Sequence, residues 1–145
     1  MCFINTIIAF DFGLKRTGVA VGNTLTGSAS PECTLQSRDE RPDWEGITQL
    51  FEKWKPERLV VGMPTELDGS DNPLKPRIER FCNQLNGRYN LPVEQENEQF
   101  TSIEAAQRLK QLRQSGRKKK VTKEEVDKIA ASIILENWMQ KMGYR

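Results

Sequence analysis

The chain has 145 residues, of which 37% are hydrophobic and 29% charged, and this composition predicts one globular domain over residues 1–145. Its formal net charge is only +2, so any argument for nucleic-acid binding depends on local clusters of charge. The absence of histidine excludes histidine-based catalysis. The three cysteines lack metal-ligand spacing, which argues against a zinc site or a disulfide scaffold. We therefore expect a reduced, cytoplasmic chain.

The first third of the chain predicts three strands. Residues 5–12 and 17–22 are rich in β-branched and apolar residues and predict a hairpin closed by a short turn. The first apolar run stops at Asp11 and has no basic region before it, which is not typical of a signal peptide. No segment approaches the roughly 18 apolar residues of a membrane span, so we expect no membrane partner. Residues 29–36 predict a weaker third strand.

The middle of the chain alternates helices with strands. A helix is predicted to open at Pro42 and Asp43 and to end before Pro56, with one apolar face. Residues 58–63 predict a buried strand, which follows a helix and therefore favours a parallel crossover. A second helix carries apolar residues at helical spacing, namely Leu74, Ile78, Phe81, Cys82 and Leu85. Residues 91–97 are predicted as a strand from their position between two helices.

The last third predicts two capped helices around a basic loop. Capping boxes at Thr101 and Thr122 open the helices, and the loop covers residues 114–121. The last helix carries the apolar residues Val126, Ile129, Ala130, Ile133 and Ile134. This order of elements predicts an α/β fold, with a five-stranded mixed sheet that is antiparallel in its first three strands, then parallel, and flanked by helices.

Asp11 interrupts an apolar run and shares a strand face with Ile7 and Ala9. Burying an ionised carboxylate costs several kcal/mol unless a cation or hydrogen-bond donors meet it. Asp11 could simply end the strand and cap the hairpin turn. The apolar residues continue to Phe12, however, which favours a metal-binding carboxylate near the end of the strand.

Asp127 is the second candidate. Asp127, Ala131 and Trp138 lie along one line of the last helix, which places the carboxylate at the edge of the apolar stripe. An acid in the first turn can instead stabilise the helix N-terminus, a role that Glu124 and Glu125 already fill. The spacing leaves both interpretations open.

A third carboxylate must come from Glu94, Glu96 and Glu98, which share one strand face by parity. Glu98 lies at the predicted strand end, where side chains reach a cleft at the edge of the sheet. A solvated acidic face is the preferred interpretation of Glu94 and Glu96. The residues alone hardly separate the three.

Carboxylates on three separate elements predict a cage for Mg²⁺ or Mn²⁺, because hard divalent ions prefer oxygen ligands. Two such ions about 3.5–4 Å apart can hold a phosphodiester, activate water and stabilise the leaving oxygen. This chemistry needs no histidine, which suits the composition.

Nucleic acid is the partner that such a site predicts, and two groups of cations suit a phosphate backbone. Lys15 and Arg16 lie in the first hairpin turn beside Asp11. The basic loop contributes Arg117, Lys118, Lys119 and Lys120, although a run of charge is also typical of a solvated loop.

Four segments give the chain a recognisable family signature. They are Ala-Phe-Asp-Phe-Gly-Leu-Lys-Arg-Thr-Gly-Val-Ala-Val-Gly from Ala9, Val-Val-Gly-Met-Pro from Val60 with Asp68-Gly69 after it, Glu-Gln-Phe-Thr-Ser from Glu98, and Val-Asp-Lys-Ile-Ala-Ala-Ser-Ile-Ile-Leu-Glu from Val126. In this order the chain resembles the YqgF/RuvX family, whose members are described as pre-16S rRNA nucleases and also as Holliday junction resolvases. The segments together are specific, whereas the first alone would not be.

The resemblance implies an RNase H-like fold and a nuclease site that depends on a divalent metal. Carried over by motif, the acidic residues of the family fall on Asp11, Glu98 and Asp127, which selects Glu98 among the glutamates. Members often have Asp-Glu-Arg where this chain has Asn97-Glu98-Gln99, so any substrate contact that the arginine makes in other members is not expected here, whereas the glutamate is retained. The implied activity is trimming of the 5′ end of pre-16S rRNA in ribosome biogenesis.

Three alternatives stand beside this interpretation. The same site could cut branched DNA as a Holliday junction resolvase, because phosphate chemistry is common to RNA and DNA. An actin-like or sugar-kinase-like ATPase also opens with an Asp-x-Gly hairpin, but it needs two such lobes and a longer chain. A ribosome-associated RNA-binding module without catalysis is the third. The residues leave open whether the chain is a monomer or a weak dimer.

Overall fold

The first three strands form an antiparallel meander in the computed structural model, which describes residues 6–64, 73–97 and 122–143, together with Gln107. Strand β1 covers Thr6–Asp11, β2 covers Arg16–Asn23 and β3 covers Ser28–Gln36. Each strand pairs with the next, so the predicted hairpin and the third strand are confirmed, with boundaries shifted by one residue.

The other half of the sheet is parallel. Strand β4, Arg58–Met63, pairs in parallel with β1, and β5, Val93–Asn97, pairs in parallel with β4. The resulting order is β3-β2-β1-β4-β5, with β1 at the centre. The sheet is therefore five-stranded and mixed as predicted, and β1 lies where the antiparallel and parallel halves meet.

Three helices accompany these strands in the described ranges. Helix α1 covers Trp44–Trp54, α2 covers Lys75–Tyr89 and α3 covers Lys123–Met142. The N-cap side chains of α1 and α3 accept backbone hydrogen bonds, Asp43 from Gly46 and Thr122 from Glu125. No helix of the described part is long and apolar enough to cross a membrane.

Two predicted segments belong to parts of the chain that the structure does not describe. The helix expected from Thr101 and the basic loop at residues 114–121 lie outside the described residues. The last predicted helix, by contrast, begins after its capping residue as expected.

The two faces of the sheet bury different helices. Ile8 and Phe10 of β1 belong to a core that contains the apolar faces of α1 and α2. Ile7 and Ala9 belong to a second core, on the opposite face, with apolar residues of α3 such as Ala131 and Trp138. Because side chains alternate along a strand, Asp11 shares the face of Ile7 and Ala9 and is directed toward α3.

Candidate active site

The candidate site begins at the end of β1, where Asp11 follows four fully buried residues. Asp11 itself keeps intermediate exposure, because its carboxyl group lies among protein atoms yet opens into a cleft. The strand thus holds the carboxylate at a fixed depth and on the face covered by α3.

Gly18 allows the carboxylate of Asp127 to lie close to that of Asp11. It is the cross-strand partner of Asp11 in the β1–β2 pair. A Cβ atom at Gly18 would overlap the backbone carbonyl of Asp127, so the glycine allows the first turn of α3 to lie directly on β2. Close approach at this point places Asp127 beside Asp11, although 116 positions separate them in the printed sequence.

Arg16 supplies the cation between these elements. Its Nε donates a hydrogen bond of 2.7 Å to Oδ2 of Asp127, and about a quarter of each side chain is exposed. This bond raises the pKa of the Arg16 guanidinium above its ordinary value. Charge-assisted bonds of this kind are stronger than neutral ones, so Arg16 orients the Asp127 carboxylate in the absence of other ligands.

Asp11 lacks an equivalent partner, since no side-chain donor pairs with it in the described ranges. Burial, and then the negative charge of Asp127, raise the pKa of Asp11 from 3.8 to about 7. A carboxyl group titrating near neutral pH marks a place where negative charge is under-compensated. Within the described ranges, the bonded cation of this pair therefore belongs to Asp127 alone.

A cleft of about 350 Å³ opens over the two carboxylates. It is lined by both aspartates, by the whole turn between β1 and β2, and by Leu74 before α2; the residues are Asp11, Phe12, Gly13, Leu14, Lys15, Arg16, Leu74 and Asp127. Both predicted turn cations, Lys15 and Arg16, are thus in the cleft.

The donor set suits a hard divalent cation. Carboxylate oxygens are the ligands that Mg²⁺ and Mn²⁺ prefer, and a cation would offset the repulsion between Asp11 and Asp127. Within the described ranges, no cluster of three or more cysteine or acidic side chains could hold a metal. Glu98, the predicted third ligand, lies outside the described residues, as do Arg117, Lys118, Lys119 and Lys120.

Glu94 and Glu96 differ from their sequence interpretation. They lie on the α3 face of β5, but the predicted solvated acidic face is wrong. Glu94 is half-buried, pairs with Arg58 and accepts a 3.3 Å bond from Trp138 Nε1. Glu96 is 4% exposed and accepts a 3.0 Å bond from Lys141 Nζ. Each glutamate has a cation of its own, because α3 and β4 bring distant basic residues to it.

Two features of the site were not apparent from the sequence. The Arg16–Asp127 ion pair joins residues 111 positions apart, so no local pattern could reveal it. A second cleft also carries arginines of α2 and begins at Phe12, next to Asp11. A signal for it exists, since Arg77, Arg80 and Arg88 recur at helical spacing.

Comparison with known proteins identifies close sequence relatives. A family model described as "RuvX: Holliday junction resolvase" matches residues 5–141. A protein of Hydrogenovibrio crunogenus named "Putative pre-16S rRNA nuclease" is 46% identical over 94% of this chain and 94% of its own length. A protein of the same name from Pseudomonas putida is 37% identical over 97% of this chain and 98% of its own length.

Solved structures share the fold at much lower identity. The Thermus thermophilus RuvC protein in complex with a Holliday junction substrate has a TM-score of 0.55 and 13% identity, with 96% of each chain covered. The fowlpox virus Holliday junction resolvase has a TM-score of 0.56 and 19% identity, covering 94% of this chain and 99% of the viral one. The predicted RNase H-like fold is confirmed by these likenesses and by the order of the strands.

Proposed function

The chain belongs to the RuvX Holliday junction resolvase family and is a nuclease, and from this premise we propose that it cuts phosphodiester bonds at the Asp11–Asp127 cleft. The observation that carries the proposal is a pair of neighbouring carboxylates of which only Asp127 bonds to a cation in the described ranges. Charge that the protein leaves under-compensated in a cleft is typical of a site that receives a cationic ligand.

We propose Mg²⁺ or Mn²⁺ as that ligand, held by Asp11 and Asp127 and completed by Glu98. When bound, such ions activate water and stabilise the leaving oxygen of a phosphodiester. Asp11 and Asp127 contribute the anionic oxygens, and β1 and the close approach at Gly18 fix their separation.

Lys15 and Arg16 have a different part in the proposal. Both line the cleft, so a phosphate bound over the carboxylates would lie near two cations. Arg16 also holds Asp127 by its 2.7 Å bond before any ligand arrives. We propose that Arg117, Lys118, Lys119 and Lys120 add to the electrostatic attraction of the nucleic-acid backbone.

The proposed substrate is the 5′ end of pre-16S rRNA in the cytoplasm, during ribosome biogenesis. The name of the relatives from Hydrogenovibrio crunogenus and Pseudomonas putida supports pre-16S rRNA as the substrate, at 46% and 37% identity over nearly the whole chain. Branched DNA is the second candidate, supported by the description of the family model.

A side-by-side cleavage assay tests the function. The full chain is incubated with a pre-16S rRNA leader and with a four-way DNA junction, each with Mg²⁺, with Mn²⁺ or with a chelator. We expect shortened rRNA in both metals and intact rRNA with the chelator. Cleavage of the junction alone would assign the resolvase activity instead. Intact substrates in every lane would support an RNA-binding module without catalysis.

A further inference from the structure

A second and larger cleft lies between the N-terminal end of α1, the loop before it and one side of α2. Its volume is about 690 Å³. We call it the α2 groove and define it by its polar and aromatic lining residues, which include Arg41, Trp44, Arg77, Arg80, Gln84 and Arg88.

The α2 side of the groove is a row of polar and basic residues. Arg77, Arg80, Gln84 and Arg88 are spaced by three or four, so they share one face of the helix. From first to last the row spans about 16 Å at 1.5 Å per residue. Stacked nucleotides rise by about 3.4 Å along one strand, so the row is as long as a few of them.

The charge of the groove favours an anion. Four arginines line it against two carboxylates, Asp39 and Glu40. Only one ion pair between these groups forms in the described ranges, from Arg77 to Glu40 at 2.9 Å, and both partners are about half exposed. An excess of guanidinium groups is therefore available to phosphate oxygens, which arginine binds well.

Trp44 and Arg88 add a flat surface to this charge. The Arg88 guanidinium lies 4.2 Å from the centre of the Trp44 ring. The indole also packs against Phe81, with ring centres 5.7 Å apart. An arginine placed over an aromatic ring presents a planar cation on which a nucleobase can stack.

The groove adjoins the candidate active site. Phe12, the residue after Asp11, lines both clefts. Leu74 lines the active-site cleft and is the residue directly before α2. A strand that passes from the two aspartates over Phe12 would therefore come near the N-terminal part of α2, where Arg77 and Arg80 lie.

We propose that the α2 groove binds a single-stranded segment of the nucleic-acid substrate, adjacent to the phosphodiester that is cut. This inference rests on the proposed nuclease function and names the surface and the form of nucleic acid involved. A single strand exposes the faces of its bases for stacking on Arg88, whereas a duplex keeps them inside its own stack.

Binding without metal tests this separately from catalysis. The full chain is titrated, in chelator, against a labelled 12-nucleotide single-stranded RNA and against a hairpin of the same composition, and fluorescence anisotropy is measured. We expect the Arg80→Ala/Arg88→Ala double variant to bind the single strand at least tenfold more weakly. The slope of log affinity against log salt concentration should become shallower by about 0.7 for each phosphate that the variant no longer neutralises.

Two further variants separate charge from stacking. Lys53→Ala also removes positive charge, but at the other end of α1, where Lys53 is 63% exposed and pairs with Glu32; we expect affinity within twofold of wild type. Arg88→Lys keeps the charge and loses the planar group, so we expect it to weaken single-strand binding severalfold and hairpin binding little.

Each contrary result has a definite meaning. The proposal is overturned if the double variant binds the single strand like wild type, or if wild type does not bind it at all. It is also overturned if a mononucleotide binds as tightly as the 12-mer, which would make the groove a nucleotide pocket. Hairpin preference would equally overturn it, in favour of a duplex. An Arg88→Lys variant indistinguishable from wild type would overturn the stacking on Arg88 from which the single strand is argued. Wild type that binds but never cuts would leave the groove supported and refute the nuclease site.

Discussion

Two pairs of carboxylates lie where α3 packs on the sheet, and they have opposite surroundings. Glu94 and Glu96 on β5 each have a cation, Arg58 for one and Lys141 for the other. In the other pair, Arg16 bonds to Asp127, and Asp11 has no side-chain donor in the described ranges. Acidic residues of similar placement are thus structural in one pair and available to a ligand in the other.

The difference indicates that a functional carboxylate is recognised by the absence of a paired cation more than by its being an acidic residue. Glu96 is almost fully buried, whereas its partner Lys141 is 62% exposed. Loss of the lysine would leave a buried carboxylate without a counterpart, so this pair supports the fold. The Asp11 carboxyl has its pKa raised to about 7 and weakens the fold when it ionises. Sites that sacrifice local stability in this way are typical of functional clefts.

The largest effect expected from this comparison is on cleavage. Asp11→Asn keeps the shape of the side chain but removes an anionic oxygen from the cleft. Because divalent-ion catalysis contributes several kcal/mol, we expect cleavage to fall about a thousandfold, or about 4 kcal/mol. The rate of metal-dependent cleavage of the best substrate, at saturating protein, measures it.

Glu96→Gln is the matched control, since it removes a carboxylate from the other pair. We expect it to lower the free energy of unfolding by about 1–3 kcal/mol, because the bond to Lys141 is weakened at a site that is almost fully buried. Cleavage by the folded variant should stay within about threefold of wild type. Equal losses of cleavage in both variants would break the comparison and refute the assignment of Asp11.

The next effect concerns the close approach that unites the aspartates. Gly18→Ala introduces a Cβ where the Asp127 carbonyl lies, so the first turn of α3 must move away from β2. We expect a loss of about 1–3 kcal/mol in stability, as for other overpacked sites, together with a clear loss of cleavage. Chemical denaturation and the cleavage assay measure the two.

Gly87→Ala provides the control for this substitution. Gly87 lies within α2, and a Cβ there meets nothing within 4 Å. Alanine in a helix interior should stabilise the protein by about 0.5–1 kcal/mol. A Gly18→Ala variant that behaved like Gly87→Ala would show that α3 does not depend on close packing against β2.

The sequence predicted the scaffold of the site because the relevant signals are local. Alternation along β1 places Asp11 on the face of Ile7 and Ala9, and that face is covered by α3 in the structure. The Thr122 capping box fixed the start of α3, and with it the position of Asp127 just after the first turn. Period and capping are properties of neighbouring residues, so they can be read from a single chain.

Charge compensation could not be predicted in the same way. Glu94 and Glu96 look alike in the sequence, and their basic partners lie 36 and 45 positions away. The Arg16 partner of Asp127 is 111 positions away. Which acid receives a cation is decided by how the helices pack, so the sequence alone assigned a solvated face to residues that are paired.

The smallest effect follows from the titration of Asp11. Its pKa is about 7 in the folded chain and about 4 in an unfolded one, so the folded state binds the proton more tightly. Without metal, the contribution of Asp11 to stability therefore falls as pH rises from about 4 to about 7, and stays low above that. We expect a decrease on the order of 2 kcal/mol, reduced by the partial exposure of the group.

The pH series isolates this contribution when wild type and Asp11→Asn are denatured in parallel, in chelator, between pH 4 and pH 8. The asparagine variant cannot ionise, so its stability relative to wild type should increase across the series and be greatest at pH 8. Added Mg²⁺ should stabilise wild type most at high pH, where the carboxylate is ionised and can bind it, and the variant much less. A constant difference between the two proteins at every pH would show that Asp11 already has its charge compensated, as Glu96 does, and the contrast between the two pairs would disappear.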